Sequence, residues 1–155
     1  MFRSAPSEVL KFLFYKFASL QMGVAICYDL RFPELTMLMT QAGCNLLIYP
    51  GAFNLTTGPK HWELLLRARA VDSQCHVCGV SPARSETASY KAWGHSSVVD
   101  PWGEVIATTD AGKAIVYATL DMEAVLNVRR SIPVSQQKRQ DVYKLVDMQQ
   151  PSSAI

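Results

Sequence analysis

The chain has 155 residues and a formal net charge of +2, and 49% of its residues are hydrophobic while 18% are charged. This composition is typical of one globular domain and argues against a disordered chain. So small a net charge excludes the basic surface of a nucleic-acid-binding protein. The four cysteines have irregular spacing, which does not indicate a disulfide framework and favours a reducing compartment such as the cytoplasm.

Residues 1–21 are the least interpretable part of the chain, and we assign them as an atypical leader. Residues 9–20 are apolar and aromatic but contain Lys11 and Lys16, so the stretch is too short and too charged to cross a bilayer. The basic residues resemble those of a mitochondrial transit signal, but Glu8 argues against this interpretation because such signals contain few acidic residues. A truncated or misjoined amino terminus is an alternative interpretation.

Residues 23–51 predict a strand–helix–strand unit. An apolar run at 24–26 predicts a buried strand, and Pro33 with Glu34 predicts a helix start. The apolar spacing continues to residue 42, Gly43 predicts the helix end, and residues 46–49 predict a second buried strand. Cys27 therefore lies where the first strand gives way to a turn.

A thiol in this position suits a nucleophile, because it is rigidly held at the carboxyl edge of a sheet where following N–H groups can stabilise an oxyanion. The nearby helix end favours the thiolate by only about 0.3–2 kcal/mol, against a free thiol pKa near 8.5. A neighbouring cation or base is therefore required. The alternative is that Cys27 is an ordinary buried thiol, since cysteine behaves as a small hydrophobic residue.

The rest of the chain predicts a loop at 51–58, a helix at 59–72 and a strand at 75–80. Arg67 and Arg69 lie off the apolar stripe of that helix, and we interpret them as partly solvated or structurally paired rather than as ligands of a substrate carboxylate. Cys75 and Cys78 are three residues apart in a strand, so they point to opposite faces. No second pair completes a zinc site, and we predict no metal.

Asp100, Pro101 and Gly103 occupy the preferred positions of a type I turn, which predicts a hairpin between strands at 96–99 and 104–107. Residues 114–120 predict a further strand. Asp121 predicts the cap of a helix through about residue 130, which Pro133 ends. A polar tail follows at 133–150, and we separate residues 146–155 from the preceding domain as a terminal tail.

Several short segments of the chain form one ordered set. They are 23–34 (GVAICYDLRFPE), 49–59 (YPGAFNLTTGP), 61–63 (HWE), 67–72 (RARAVD), 81–84 (SPAR), 92–96 (AWGHS), 100–105 (DPWGEV), 132–134 (IPV) and 137–139 (QKR). Together, and in this order, they resemble the carbon–nitrogen hydrolase (nitrilase) superfamily and in particular its omega-amidase branch. The resemblance runs from about residue 22 to residue 145 and therefore defines a partial hydrolase domain, the carboxyl-terminal half of the family's domain.

The resemblance implies an α/β fold that is part of an αββα sandwich, with Cys27 as the nucleophile and the backbone N–H of Tyr28 in the oxyanion hole. Phe53 and Thr57 would then line the acyl pocket. The implied reaction is hydrolysis of small omega-amides of 2-oxo dicarboxylic acids, such as 2-oxoglutaramate and 2-oxosuccinamate, through a thioester and with no cofactor. The family's homodimer implies a second copy as partner, over which the tail at 133–150 would wrap.

The family also uses a glutamate base and a lysine upstream of its cysteine. Only Glu8, Lys11 and Lys16 precede Cys27 here, and none is in a matching context. Without both helpers we expect a poor acyl-transfer nucleophile. One alternative is therefore a catalytically incomplete half-domain that acts as a fragment or interaction module and associates through an uncovered sheet face. Another is a cysteine–histidine hydrolase that uses His61, His76 or His95 as its base.

Overall fold

A computed structural model describes residues 13–17 and 19–148. Most of the leader assigned to residues 1–21, including Glu8 and Lys11, lies outside the described residues, as do the last seven residues of the terminal tail. Within the described part, residues 13–17 form the edge strand of the sheet.

One six-stranded sheet forms the framework, with its strands in chain order and parallel pairing only among the second, third and fourth. The fold is therefore α/β, as predicted. The strands are β1 (Leu13–Phe17), β2 (Leu20–Val24), β3 (Leu46–Pro50), β4 (His76–Val80), β5 (Ser97–Val99) and β6 (Val105–Thr108).

The predicted strand–helix–strand unit is confirmed as β2, helix α1 (Pro33–Gln41) and β3. Strand β2 lies earlier than the apolar run indicated, because it ends at Val24 and only the N–H of Ala25 continues the ladder, donating to the Ile48 carbonyl at 3.1 Å. The chain then leaves the sheet as a 3-10 helix, Cys27–Arg31. Gly43, with φ of +101°, turns the chain after α1, a conformation that disfavours residues with a Cβ.

The helix predicted at 59–72 and the predicted hairpin are also confirmed. Helix α2 spans Gly58–Ser73 and precedes β4, while β5 and β6 pair across the turn at Asp100. The Asp100 carboxylate accepts the N–H groups of Trp102 and Glu104, each at 2.9 Å, so the aspartate closes the turn through its own side chain.

The strand predicted at 114–120 is wrong. These residues have no regular structure and form no ladder with any other described residue, and the side chains of Ile115 and Tyr117 are 81% and 87% exposed. Helix α3 (Met122–Ser131) follows, with Asp121 accepting the N–H of Glu123 at 2.9 Å as its predicted cap. A short helix α4 (Val134–Gln137) then interrupts the predicted polar tail.

The two faces of the sheet are covered unequally. Leu47, Tyr49, Val77 and Val99 are fully buried in the core that includes Leu66 of α2. The opposite face carries a row of apolar residues that strand pairing places side by side and that remain only partly buried. That row, called here the open-face row, is Val24, Ile48, Cys78, Val98 and Ala107.

No helix in the described ranges combines the length and the apolar character that a bilayer crossing requires.

Candidate active site

Cys27 is the first residue of the 3-10 helix and its backbone has φ of +47°. A left-handed conformation at a non-glycine residue is uncommon and costs on the order of 1–3 kcal/mol, so the surrounding structure must hold it in place. The thiol residue is half-buried, and its neighbours Ile26 and Tyr28 are each 64% exposed. The nucleophile candidate therefore lies on a strained turn at the surface, not inside the apolar core.

Two contacts fix this turn from either side. The Asp29 carboxylate accepts the Ile26 N–H at 2.8 Å, and the Asp29 N–H donates to the Ile26 carbonyl at 2.9 Å. Behind the turn, Gly51 comes directly after β3, and its backbone lies so near Cys27 that a Cβ at residue 51 would be 2.8 Å from the Cα of Cys27. Only glycine leaves room for the thiol residue at this place.

A buried arginine fixes the other end of the 3-10 helix. Arg69 of α2, 5% exposed, donates from Nε to the Leu30 carbonyl at 2.9 Å and from Nη2 to the Arg31 carbonyl at 3.0 Å. Its Nη1 lies 3.3 Å from the Asp72 carboxylate. The prediction that Arg69 is structurally paired is confirmed, and its partners are the carbonyls that the last turn of the 3-10 helix leaves without an intrahelical donor.

Arg31, which is not among the residues predicted for the site, is a cation at the last position of the 3-10 helix that begins at Cys27. Its guanidinium carbon lies 4.7 Å from the ring centroid of Phe53 and 5.1 Å from that of Tyr28. Its Nη1 donates to His61 Nδ1 at 3.2 Å, and its Nε is buried without a hydrogen-bond partner. Within the described residues no carboxylate lies in ion-pair distance of Arg31, so it is a cation held between aromatic rings and available to an anion.

Of the other predicted site residues, Phe53 and Tyr28 contact this arginine, while Thr57 is bonded within the loop before α2. Phe53 is 4% exposed and packs its ring on Trp62 as well as on Arg31. Thr57 donates both its N–H and its hydroxyl to the Asn54 side chain, at 2.9 and 3.1 Å, and so shapes the loop before α2. The Tyr28 N–H belongs to the first turn of the 3-10 helix, where N–H groups have no intrahelical acceptor and can bind an oxyanion.

The remaining cysteines lie in a different environment. Burial raises the pKa of Cys44 and of Cys78 to about 11 and that of Cys75 to about 12, because burial disfavours the thiolate. The described residues contain no cluster of three or more histidine, cysteine, aspartate or glutamate side chains that could hold a metal ion.

Each histidine has a defined neighbour. His76 is buried, donates from Nε2 to the Asp121 carbonyl at 3.0 Å, and has an Nδ1 without a partner. The ring of His95 stacks on Trp93, with the centroids 4.2 Å apart. The third, His61, contacts Arg31 as described above.

Comparison with known proteins identifies the family. The carbon–nitrogen hydrolase family model matches residues 6–130. The chain belongs to this family. It is 56% identical over 131 residues to omega-amidase NIT2 of Homo sapiens, a match that covers 84% of this chain and 47% of that protein. The zebrafish (Danio rerio) omega-amidase NIT2 is 55% identical over 130 residues, with the same two coverages.

Solved structures of the nitrilase superfamily share the fold. The crystal structure of Saccharomyces cerevisiae Nit3 matches with a TM-score of 0.81 at 47% identity and covers 87% of this chain and 49% of its own. The Caenorhabditis elegans NitFhit protein matches with a TM-score of 0.80 at 39% identity, over 86% of this chain and 32% of its own. This carbon–nitrogen hydrolase chain thus spans about half the length of the curated relatives it matches.

Proposed function

We propose that this chain carries the nucleophile of an omega-amidase-like site that hydrolyses small omega-amides of 2-oxo dicarboxylic acids, such as 2-oxoglutaramate and 2-oxosuccinamate. The observation that supports it most is the placement of a cation, Arg31, four residues after the thiol on the same 3-10 helix and without an ion-pair partner among the described residues. At roughly 2 Å rise per residue, their Cα atoms are about 8 Å apart along the axis. A short dicarboxylic acid monoamide could span this distance.

The reaction divides into two acyl transfers. The Cys27 thiolate attacks the amide carbonyl carbon, and the carbonyl oxygen becomes an oxyanion that the Tyr28 N–H can stabilise. The nitrogen takes up the proton that the thiol released on forming the thiolate, the C–N bond breaks, and ammonia leaves, which produces a thioester on Cys27. Water then attacks the thioester, releasing the dicarboxylate and restoring the thiol.

Arg31 would bind the free carboxylate at the other end of the substrate. A guanidinium presents several N–H donors in one plane and matches a carboxylate in geometry as well as in charge. The rings of Tyr28 and Phe53 restrict where that plane can lie. This arrangement would place the amide end toward the thiol, and it gives the predicted pocket residue Phe53 a role as a support for Arg31.

A direct test is ammonia release from 2-oxosuccinamate by the purified chain, with Cys27→Ala as the blank. We expect turnover that is absent in Cys27→Ala and reduced at least tenfold in Arg31→Gln, with the loss mainly in KM because the carboxylate contact is a binding contact. Folded protein that releases no ammonia above the blank would contradict hydrolysis by this chain alone.

A second candidate is the catalytically incomplete half-domain, which acts as a fragment or interaction module. The open-face row favours it, because five apolar side chains from five neighbouring strands stay only partly buried, and Ile115 with Tyr117 adds exposed apolar surface. Contiguous apolar surface that stays open to solvent is typical of interaction surfaces. The expected glutamate and lysine would then come from the polypeptide that covers this face.

Sedimentation of the purified chain tests this candidate. We expect association that Ile48→Thr with Val98→Thr weakens, because both changes place a hydroxyl in the open-face row. A control pair on the exposed side of α2, Leu64→Thr with Val71→Thr, should leave association unchanged. A monomeric chain that unfolds in one cooperative transition would contradict the half-domain proposal.

The homodimer and the cytoplasmic or mitochondrial location implied by the resemblance remain proposals. Cross-linking of the native protein at its cellular concentration tests the first, and fractionation of the source cells tests the second.

A further inference from the structure

His61 is the side-chain acceptor that holds the guanidinium of Arg31. It lies in the first turn of α2, its N–H donates to the Thr57 carbonyl at 2.8 Å, and its ring is half-buried. Arginine has no acceptor atom, so in the 3.2 Å contact Arg31 Nη1–H must be the donor and His61 Nδ1 the acceptor. Nδ1 therefore carries no proton in this contact, which assigns the ring proton to Nε2.

Arg31 needs such an anchor. The two rings beside it, those of Tyr28 and Phe53, attract the cation from their faces but do not fix its rotation within its own plane. Its Nε is buried without a partner. The hydrogen bond to His61 is thus the one directional side-chain contact of this guanidinium within the described residues, and it decides which N–H groups are presented to an anion.

We propose that His61 is a positioning residue that sets the preference of the Cys27 site for anionic substrates by orienting Arg31. The inference rests on the proposed function, since it assigns to Arg31 the binding of the substrate carboxylate. It gives His61 neither contact with the substrate nor the role of base. The predicted consequence is a loss of anion preference, not of thiol reactivity, when the Nδ1 acceptor is removed.

Alkylation of Cys27 measures this preference without requiring turnover. The Cys27 thiolate displaces iodide from iodoacetate or from iodoacetamide, forming a C–S bond as the C–I bond breaks and iodide leaves with the electron pair. Both reagents need the same thiolate and similar access, but only iodoacetate carries a carboxylate. The ratio of the two rate constants, read by mass spectrometry of the peptide that contains Cys27, therefore reports attraction of an anion to the site.

We expect His61→Leu and His61→Phe to lower this ratio about three- to tenfold, the factor that a single net hydrogen bond contributes to an equilibrium. In His61→Asn the side-chain oxygen occupies the position of Nδ1, so the ratio should stay within about twofold of the native value. The rate constant with iodoacetamide should change little in all three variants. Circular dichroism identifies any variant that fails to fold. Two apolar replacements are used so that the native protein can still be compared with one of them if the other does not fold.

The Arg31→Gln variant separates this inference from the proposed function. If Arg31→Gln lowers the ratio but both apolar His61 variants retain it, the positioning role is refuted while the carboxylate site stands. If Arg31→Gln leaves the ratio unchanged, the carboxylate site and the role of His61 are both refuted. A ratio that falls equally in His61→Asn and in His61→Leu would also contradict the acceptor role.

Discussion

Replacing Arg69 by methionine should destabilise the protein far more than the same change at Arg67 on the same helix. Arg69 is buried and donates to two backbone carbonyls of the 3-10 helix, at 2.9 and 3.0 Å. Hydrogen bonds from a charged donor contribute about 1.5–3 kcal/mol each, so losing two of them costs roughly 3–6 kcal/mol. The ion pair with Asp72, which is 41% exposed, adds little.

Arg67 is the matched control. It donates to the Gly103 carbonyl at 2.7 Å and lies 3.6 Å from Glu63, but its side chain is 49% exposed and water can replace it. Arg67→Met should therefore lower the free energy of unfolding by about 1 kcal/mol. Urea unfolding gives both values, and hydrogen exchange of the 3-10 helix amides should accelerate in Arg69→Met alone. Equal losses for the two arginines would refute the assigned role of Arg69.

Three further predictions follow from the surroundings of the thiols. Gly51→Ala places a Cβ 2.8 Å from the Cα of Cys27. This change should lower the free energy of unfolding by about 1–3 kcal/mol and alter the rate at which Cys27 is alkylated. Gly112 has open space around it, so Gly112→Ala should change neither quantity. Brief alkylation at pH 8 should label Cys27 well before the buried Cys44 and Cys75, and equal labelling of the three in folded protein would contradict the assigned burial. The free energy of unfolding should fall as the pH rises above 9, because thiols whose pKa is raised in the folded protein stay protonated there but ionise on unfolding. Urea unfolding at several pH values measures this fall, which should be smaller when the thiols with a raised pKa are replaced by alanine. The cysteines concerned are Cys44, Cys75 and Cys78.

Local signals in the sequence were sufficient for most elements. Pro33 and Gly43 bound α1 because one fixes φ at a helix start and the other adopts a positive φ after its end. Asp100 and Asp121 act through their own side chains on N–H groups two to four residues away. Features of this kind need no tertiary context, so the sequence is enough to predict them.

Residues 114–120 show where a local signal fails. Their composition and alternation are typical of a strand, but a strand requires a neighbour that accepts and donates the ladder hydrogen bonds. No described strand lies beside them, and Ile115 and Tyr117 point largely into solvent. Strand propensity indicates that side chains would pack well on a half-buried sheet. It does not indicate whether a neighbouring strand is present to pair with them.

The site depended on contacts between residues far apart in the chain. Arg31 meets His61 across thirty positions, and Arg69 reaches the Leu30 carbonyl across thirty-nine. The pKa of a free thiol indicates that a reactive Cys27 needs a cation or base nearby, but spacing in the sequence cannot identify which residue supplies it. Arg31 is already inside the matched segment 23–34, and the need for a cation was the signal that could have identified it.

The proposed chemistry requires that the Cys27 thiol be held in position and that protons be transferred, and the observed contacts account for the first requirement. The strained turn of Cys27 is held by Asp29 from within the 3-10 helix, by Gly51 from β3 and by Arg69 from α2, all inside the described chain. Strain of about 1–3 kcal/mol persists only where several neighbours impose it, so contacts within the described residues are sufficient to explain the conformation of Cys27. The chain should therefore bind and orient an anionic electrophile at Cys27 even where hydrolysis is slow, which is why the alkylation ratio is a sharper measure of this site than ammonia release.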